Sequence, residues 1–339
     1  MVKVRNIANT TKAILKDNLR NRFALFWIIF FPVVLAILFP LVFGGIGNAI
    51  HITVSVNGYN SQEVAKALND SNIFTGVVGV NYQDAMRQGY MYVNITNQGR
   101  TIDVFTNLQD KPLVPSLKAI VEEALLEPNV TFSSKVTSNY TFNDYLISGI
   151  IGIVSLSNGL FGLIGIASGY YRDKVVDRLA ASPLRSLEWS VSLILYVVII
   201  TLISTSAVLI TGIFFGFIPI AGIAFLGFLV ISTMMFGAIG AVIYGLTPKE
   251  KLFVAQSVVS ALIFPLMFLS NAFFPISAFP SFLRPFAEYQ PLSLIDTVIR
   301  DLTVYNVAPN LSLVFSIIAI TIVLNVVAGR LLRLRETGL

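Results

Sequence analysis

Cysteine is absent from the sequence, and histidine occurs once, at His51. Structural disulfides, thiolate-bound zinc and iron–sulfur chemistry are therefore excluded, as is any metal site built on paired histidines. Charge is also scarce: Asp, Glu, Lys and Arg make up 12% of the 339 residues, against roughly 25% in a soluble domain. No Gly-x-x-x-x-Gly-Lys-Ser/Thr run occurs, so the chain does not hold ATP in the P-loop manner. Gly44, Gly45 and Gly47 lack the lysine and read as the end of an apolar run. Hydrophobic residues are abundant, at 55% with a mean hydropathy of +0.78. Lipid is the natural solvent for most of such a chain.

A helix needs about 20 apolar residues to cross the hydrocarbon core. Six runs qualify: 23–47, 145–169, 189–216, 218–246, 252–274 and 311–329. They are continuously apolar and do not alternate, which favours helices over barrel strands. None of the 23 Lys and Arg or 18 Asp and Glu residues lies inside them. An even number of spans puts both termini on one side, and the positive-inside rule chooses it. Six Lys and Arg lie in residues 1–22, four in the loop 170–188, two at Lys249 and Lys251, and three at Arg330, Arg333 and Arg335; the other eight are spread over longer segments. The termini are thus expected in the cytoplasm and residues 48–144 outside. The net charge of +5 reads as a topology signal, with no nucleic-acid partner implied.

The expected fold is an α-helical polytopic membrane protein, with six transmembrane helices and a small α/β extracytoplasmic domain between spans one and two. Within 48–144, residues 51–56 alternate as a strand and Asn57-Gly58 signals a turn. Residues 61–68 and 112–126 read as helices, and 89–96 and 101–105 as strands around a turn at 97–100. His51 reads as a surface residue and Glu122-Glu123 as a solvated helix face. Asn69, Asn94, Asn129, Asn139 and Asn310 head Asn-X-Ser/Thr triplets on the expected outside and are candidate glycosylation sites; Asn9 lies on the other side.

Three segments are patterned for the membrane surface. Residues 4–23 carry Ile7, Ile14, Leu15 and Leu19 on one stripe and Lys12, Lys16 and Arg20 on another, an amphipathic interfacial helix or an orientation anchor. In 170–188, Val175, Val176 and Leu179 form a short apolar face, and Arg172, Asp173, Lys174, Asp177 and Arg178 face solvent. Pro183, with the extended Ser182 before it, ends that helix. The loop suits docking of a cytoplasmic partner, or is a plain solvated loop. Prolines at 275, 280, 285 and 291 amid aromatics forbid one long helix over 275–303. Two short helices dipping into or lying on the outer leaflet, an outer re-entrant segment, are expected there, the second over 293–301 with Leu294, Ile295 and Val298 inward and Asp296 and Arg300 outward.

No catalytic constellation or metal site is assembled, which argues against an enzyme. Charge-free spans argue against a proton-relay carrier and suit an apolar or amphiphilic cargo, so energy for transport would enter through a partner protein. Asn158 and Ser270–Asn271 are the polar span residues best suited to a pathway. Gly165–Gly169 and Gly212–Gly216 are Gly-x-x-x-Gly pairs that permit close helix approach.

The order of these elements carries a resemblance. An amphipathic helix leads into Phe26-Trp27-Ile28-Ile29-Phe30-Phe31-Pro32, an external domain follows, and a polar loop ends in Ala181-Ser182-Pro183-Leu184. Two tightly joined spans then precede the stretch from Phe273-Phe274-Pro275-Ile276 to Gln290-Pro291-Leu292. The chain resembles a permease subunit of the type-2 ABC exporters, of the kind with a large domain after the first span. The resemblance implies a dimer of permeases over two separate ATPase subunits that bind ATP and magnesium. It implies that Arg172, Asp173, Lys174, Asp177, Arg178, Ser182, Pro183 and Arg185 form the coupling helix, with residues 1–22 as the connecting helix and 330–339 as a cytoplasmic tail. It also implies a substrate path past Asn158, Phe161, Ser270, Asn271 and Phe273. A membrane-anchored sensor or scaffold, whose external domain binds a ligand or partner, is the alternative.

Overall fold

The computed structural model describes residues 3–43, 52–71, 73–88, 90–107, 110, 113–125, 131–138, 142–220, 222–248, 251–305 and 307–332. Gly44, Gly45, Gly47, His51, Asn129, Asn139, Lys249, Arg333 and Arg335 lie outside them.

Helix α1 spans Val4–Arg20, with Ile14 buried and Lys12, Lys16 and Arg20 exposed. The next helix, α2, covers 22–43 and is α-helical except for a π-helical turn at Phe26–Phe30. Pro32 explains why the regular pattern yields here, since it has no N–H to give the carbonyl four residues earlier, that of Ile28. The sheet domain follows as β1 (Ile52–Gly58), α3 (Ser61–Asp70), β2 (Phe74–Val78), α4 (Tyr82–Arg87), β3 (Met91–Thr96), β4 (Thr101–Asn107), α5 (Val114–Leu125) and β5 (Thr131–Ser138).

The sheet order is β2-β1-β3-β4-β5; only β3 and β4 pair antiparallel. Alternate residues Val54, Val56, Val93, Ile95, Ile102 and Val104 point to one face and are buried under Val64 and Leu68 of α3 and Leu117 and Val121 of α5. Gly58 closes β1 with φ +97°, and a side chain there would strike the Ile95 carbonyl. The sequence reading found β1, β3, β4 and both long helices but not β2, α4 or β5.

The remaining helices are α6 (Phe142–Arg172), α7 (Val175–Ala180), α8 (Ser186–Phe214), α9 (Ile223–Leu246), α10 (Leu252–Phe268), α11 (Arg284–Tyr289), α12 (Pro291–Thr303) and α13 (Leu311–Leu331). Among the described residues, four are long and apolar enough to cross a membrane: α6, α8, α9 and α13. Two apolar stretches are shorter, Ile28–Val42 within α2 and Leu252–Phe268. The fifth apolar run thus stops being helical at Phe268, and a turn carries the chain through Leu269–Phe274. Helix α6 is apolar all round and sits at the centre of the bundle, in contact with α2, α8, α9 and α12. A second π-helical turn interrupts it at Asn158–Gly162.

Helix α12 corrects the expected orientation of its charges. Asp296, Arg300 and Asp301 are all buried, together with Ile295 and Val298. The polar side of this helix faces α6, where Gly149 and Gly152 leave room for it: a Cβ at Gly152 would overlap the Asp296 carboxyl, and one at Gly149 would meet Arg300 and the Ala272 carbonyl. Among the described residues, close helix approach occurs at Gly149, Gly152, Gly159, Gly240 and Gly245, and at Gly212, which packs against Ile147 of α6; Gly165, Gly169 and Gly216 have open space around them.

Candidate functional site

Three clusters of polar side chains are placed along the bundle: one at the end that carries the α7 loop, one in the middle and one at the end that carries the sheet domain.

At the loop end, α6 closes on Arg172, whose Nε lies 3.2 Å from Asp173 Oδ1 with both side chains exposed. Lys174 takes the left-handed conformation (φ 54°), which reverses the chain into α7. Six residues make too short a helix to persist alone, so its ends must be fixed. Ser182 Oγ donates to the Leu179 carbonyl (2.6 Å) and accepts from the Leu184 N–H (3.3 Å), closing the helix before Pro183. Asp177 and Arg178 remain exposed, and Leu184 is buried. Glu188, in the first turn of α8, accepts from the backbone N–H groups of Arg185 (3.1 Å) and Lys3 (2.7 Å) and from Asn6 Nδ2 (3.0 Å). Thr11 donates to the Ser192 carbonyl (3.3 Å) and Tyr170 to Asp17 (3.2 Å). Helix α1 is thereby stitched to both ends of the loop.

In the middle, Ser204 of α8 donates its hydroxyl to the Ile28 carbonyl, the acceptor that Pro32 leaves without its usual donor. Ser204 in turn accepts from Asn158 Nδ2 at 3.1 Å. One serine therefore ties the π turn of α2 to the π turn of α6. Asn158 is buried there, while Phe161 on the same turn is partly exposed.

At the domain end, Arg300 Nη2 donates to the carbonyls of Asn271 (2.7 Å), Ala272 (3.0 Å) and Tyr145 (3.3 Å). Tyr145 also donates its hydroxyl to the Asn271 carbonyl at 2.6 Å. Asp296, one turn back on α12, has neither carboxyl oxygen hydrogen-bonded among the described residues. Burial pushes that carboxyl well above its ordinary range, and Arg300 opposes the shift. Ser270 donates to the Met267 carbonyl and receives the Ala272 N–H. Phe273 is buried, stacked on Phe39 of α2 at 3.9 Å between centroids.

Residues 22–328 match the family described as ABC-2 family transporter protein. The chain belongs to this family. No curated protein matches it.

As an ABC-2 transporter permease, the chain is a membrane transport subunit, and the family implies an ABC ATPase as its partner. Among the described residues, no three His, Cys, Asp or Glu side chains could hold a metal ion together. The residues singled out for the permease path fall into two groups. Asn158 and Phe161 share the α6 π turn, whereas Ser270, Asn271 and Phe273 share the turn after α10. The eight loop residues between Arg172 and Arg185 all lie on α7 or in the turns on either side of it. Of the triplet asparagines, Asn69 bonds the Gly76 backbone, Asn94 lies in β3, and Asn310 caps α13. Glu188, which organises the loop end, is not singled out in the sequence, and Arg300, which organises the domain end, is read there as an outward charge. An arginine one turn after Asp296 on the same helix was the available signal for Arg300.

Proposed function

We propose that the chain is the permease subunit of an ATP-driven exporter that moves an apolar or amphiphilic substrate (lipid, drug or glycoconjugate) out of the cytoplasm or inner leaflet. It works as a dimer with a second permease copy, most simply a homodimer, over two ATPase subunits that carry ATP and magnesium. All six apolar runs cross the membrane, with both termini cytoplasmic and residues 48–144 outside. Helix α10 rises only about 25 Å at 1.5 Å per residue, short of a core about 30 Å thick, so the turn 269–274 completes its crossing.

The observation that carries this reading is the exposed, mixed-charge helix Val175–Ala180, held between α6 and α8 and bound through Glu188 to α1. A plain solvated loop has no need of an interfacial helix fastened to it. Here a push on α7 reaches α6 and α8 directly, and α1 moves with them. Substrate would pass Phe161 and the turn Ser270–Phe273, where α6 and α10 approach.

Co-expression with candidate ABC ATPases tests the reading. The full chain should co-purify with one of them and change its ATP hydrolysis in proteoliposomes. Failure with every ATPase tried would remove the mechanism and leave the sensor or scaffold reading.

A further inference from the structure

The apolar stripe of α1 is spent on protein. Ile14 is 1% exposed within the bundle core, and Leu15 and Leu19 pack against that core. Ser192 of α8 takes the Thr11 hydroxyl on its carbonyl (3.3 Å) and sets its own hydroxyl 3.3 Å from the Ile7 carbonyl. Attachment of this helix to lipid therefore does not rest on inserting that stripe. The opposite side is a row of cations. At about 100° per residue, Arg5, Lys12, Lys16 and Arg20 fall within about 80° of arc, away from Ile7, Thr11 and Ile14. All four are exposed, and none has an ion pair or side-chain hydrogen bond among the described residues. The acidic residue of this helix, Asp17, lies off the row and receives the Tyr170 hydroxyl at 3.2 Å.

Depth is an independent observation. Helix α8 has 29 residues and so rises about 43 Å at about 1.5 Å per residue. The hydrocarbon core is about 30 Å thick, and about 40–45 Å with both headgroup layers. The first turns of α8 therefore lie among headgroups, and these turns hold α1. Glu188 binds the Lys3 N–H and Asn6, and Ser192 meets Ile7 and Thr11. Beside Glu188, Trp189 stacks on Tyr170 at 5.9 Å between ring centroids, and such rings favour the headgroup level. The row is thus a band of positive charge held at the depth of lipid phosphates.

We propose that this row is a docking surface for anionic phospholipid headgroups, which supply the opposite charge. Each lysine or arginine near an anionic bilayer surface adds about fivefold to binding. Arg5 and Arg20 take phosphate oxygens in pairs, and Lys12 and Lys16 act as point charges. Lipid charge thereby bears on coupling, because Glu188 joins α1 to the start of α8, just past the α7 loop. The inference rests on the export reading only for naming the leaflet as the cytoplasmic one.

The test needs no ATPase. The full-length chain is reconstituted in phosphatidylcholine nanodiscs carrying a small, equal fraction of phosphatidylglycerol or phosphatidylcholine labelled with dansyl on the acyl chain. Energy transfer from its two tryptophans, Trp27 and Trp189, reports the label beside α1. The acidic lipid should be enriched at least about threefold over the neutral one, and high salt should reduce that excess. The variant Arg5→Gln, Lys12→Gln, Lys16→Gln, Arg20→Gln should abolish it. The variant Lys66→Gln, Arg100→Gln, Lys135→Gln, in the sheet domain, should leave it unchanged. All these side chains are exposed, so both variants keep the fold. Equal transfer to the two lipids, an excess indifferent to salt, or equal loss in both variants overturns the proposal. Equal transfer together with a first variant that no longer binds the ATPase would assign the row to that partner and leave the export reading intact.

Discussion

The guanidinium of Arg300 lies 3.7 Å from the centroid of the Tyr145 ring, and its Nη2 bonds the carbonyl of the same residue. One side chain thus fastens α12 to the start of α6 and, through Asn271 and Ala272, to the turn after α10. Arg300→Met removes a charged donor from all three carbonyls, leaving Asn271 the Tyr145 hydroxyl and Tyr145 the Ser148 hydroxyl, and should cost about 2–5 kcal/mol, read from unfolding of the purified chain in detergent. The companion Arg300→Met, Asp296→Leu should cost less than the two single changes added together, since a buried acid is removed with its cation. Strict additivity would show that the two do not share an environment.

Ser204 and Pro32 make a second coupled pair. Ser204→Ala removes the donor to Ile28 and the acceptor for Asn158, at a cost of about 0.6–2 kcal/mol inside a membrane bundle. In a Pro32→Ala background, a backbone N–H becomes available to Ile28, and the same serine change should cost measurably less. A thermal-unfolding double-mutant cycle with no coupling would contradict the assignment of Ser204 as the substitute donor.

Gly152 and Gly165 lie on the same helix in opposite circumstances. Gly152→Ala forces the Asp296 carboxyl to move and should cost about 1–3 kcal/mol, recovered in part by Asp296→Ala. Gly165→Ala meets no atom within 4 Å and should gain up to about 1 kcal/mol from helix propensity. Melting temperatures of the three variants decide the matter, and destabilisation by Gly165→Ala in the monomer would be the damaging result.

Glu188→Gln weakens the charge-assisted bonds to Lys3, Asn6 and Arg185. Hydrogen exchange over residues 3–11 should quicken while α8 stays protected. Equal protection in parent and variant would show that α1 is held by its apolar stripe alone.

Asp177 and Arg178 are exposed on a helix with no buried residue, so Asp177→Ala, Arg178→Ala should change stability by no more than about 0.5 kcal/mol. Transport in proteoliposomes should nonetheless fall sharply while the ATPase continues to turn over. Unimpaired transport would argue against α7 as the coupling element.

Much of this was legible in the sequence because it rests on periodicity. Apolar runs, the 4–23 stripe and the alternation of β1, β3 and β4 follow from which side of each element is dry. Two features were hidden for physical reasons. Strand β2 pairs with only one neighbour, and its Phe-Thr-Gly-Val-Val lacks the alternation of a half-buried strand; its partner β1 chose it through non-local bonds. The charges of α12 were read outward because helical phase puts polar residues on the wet side by default, and only the glycine gap in α6, some 150 residues earlier, turns that side inward. Asn158 stands out by its polarity, but its partnership with Ser204 depends on a missing N–H at Pro32, which composition does not show.

The π turn at Asn158–Gly162 has one more implication. One additional residue in a helical turn advances everything beyond it by about 100° around the axis. Helix α6 is therefore two half-rods set out of phase, one facing α12 and the sheet domain and the other running to α7. A small rotation imposed on the lower rod can be taken up by unwinding or tightening that single wide turn, leaving the upper rod in its glycine seat. Helix α6 can behave as a torsional clutch, passing on motion only once the slack in Asn158–Gly162 has been used.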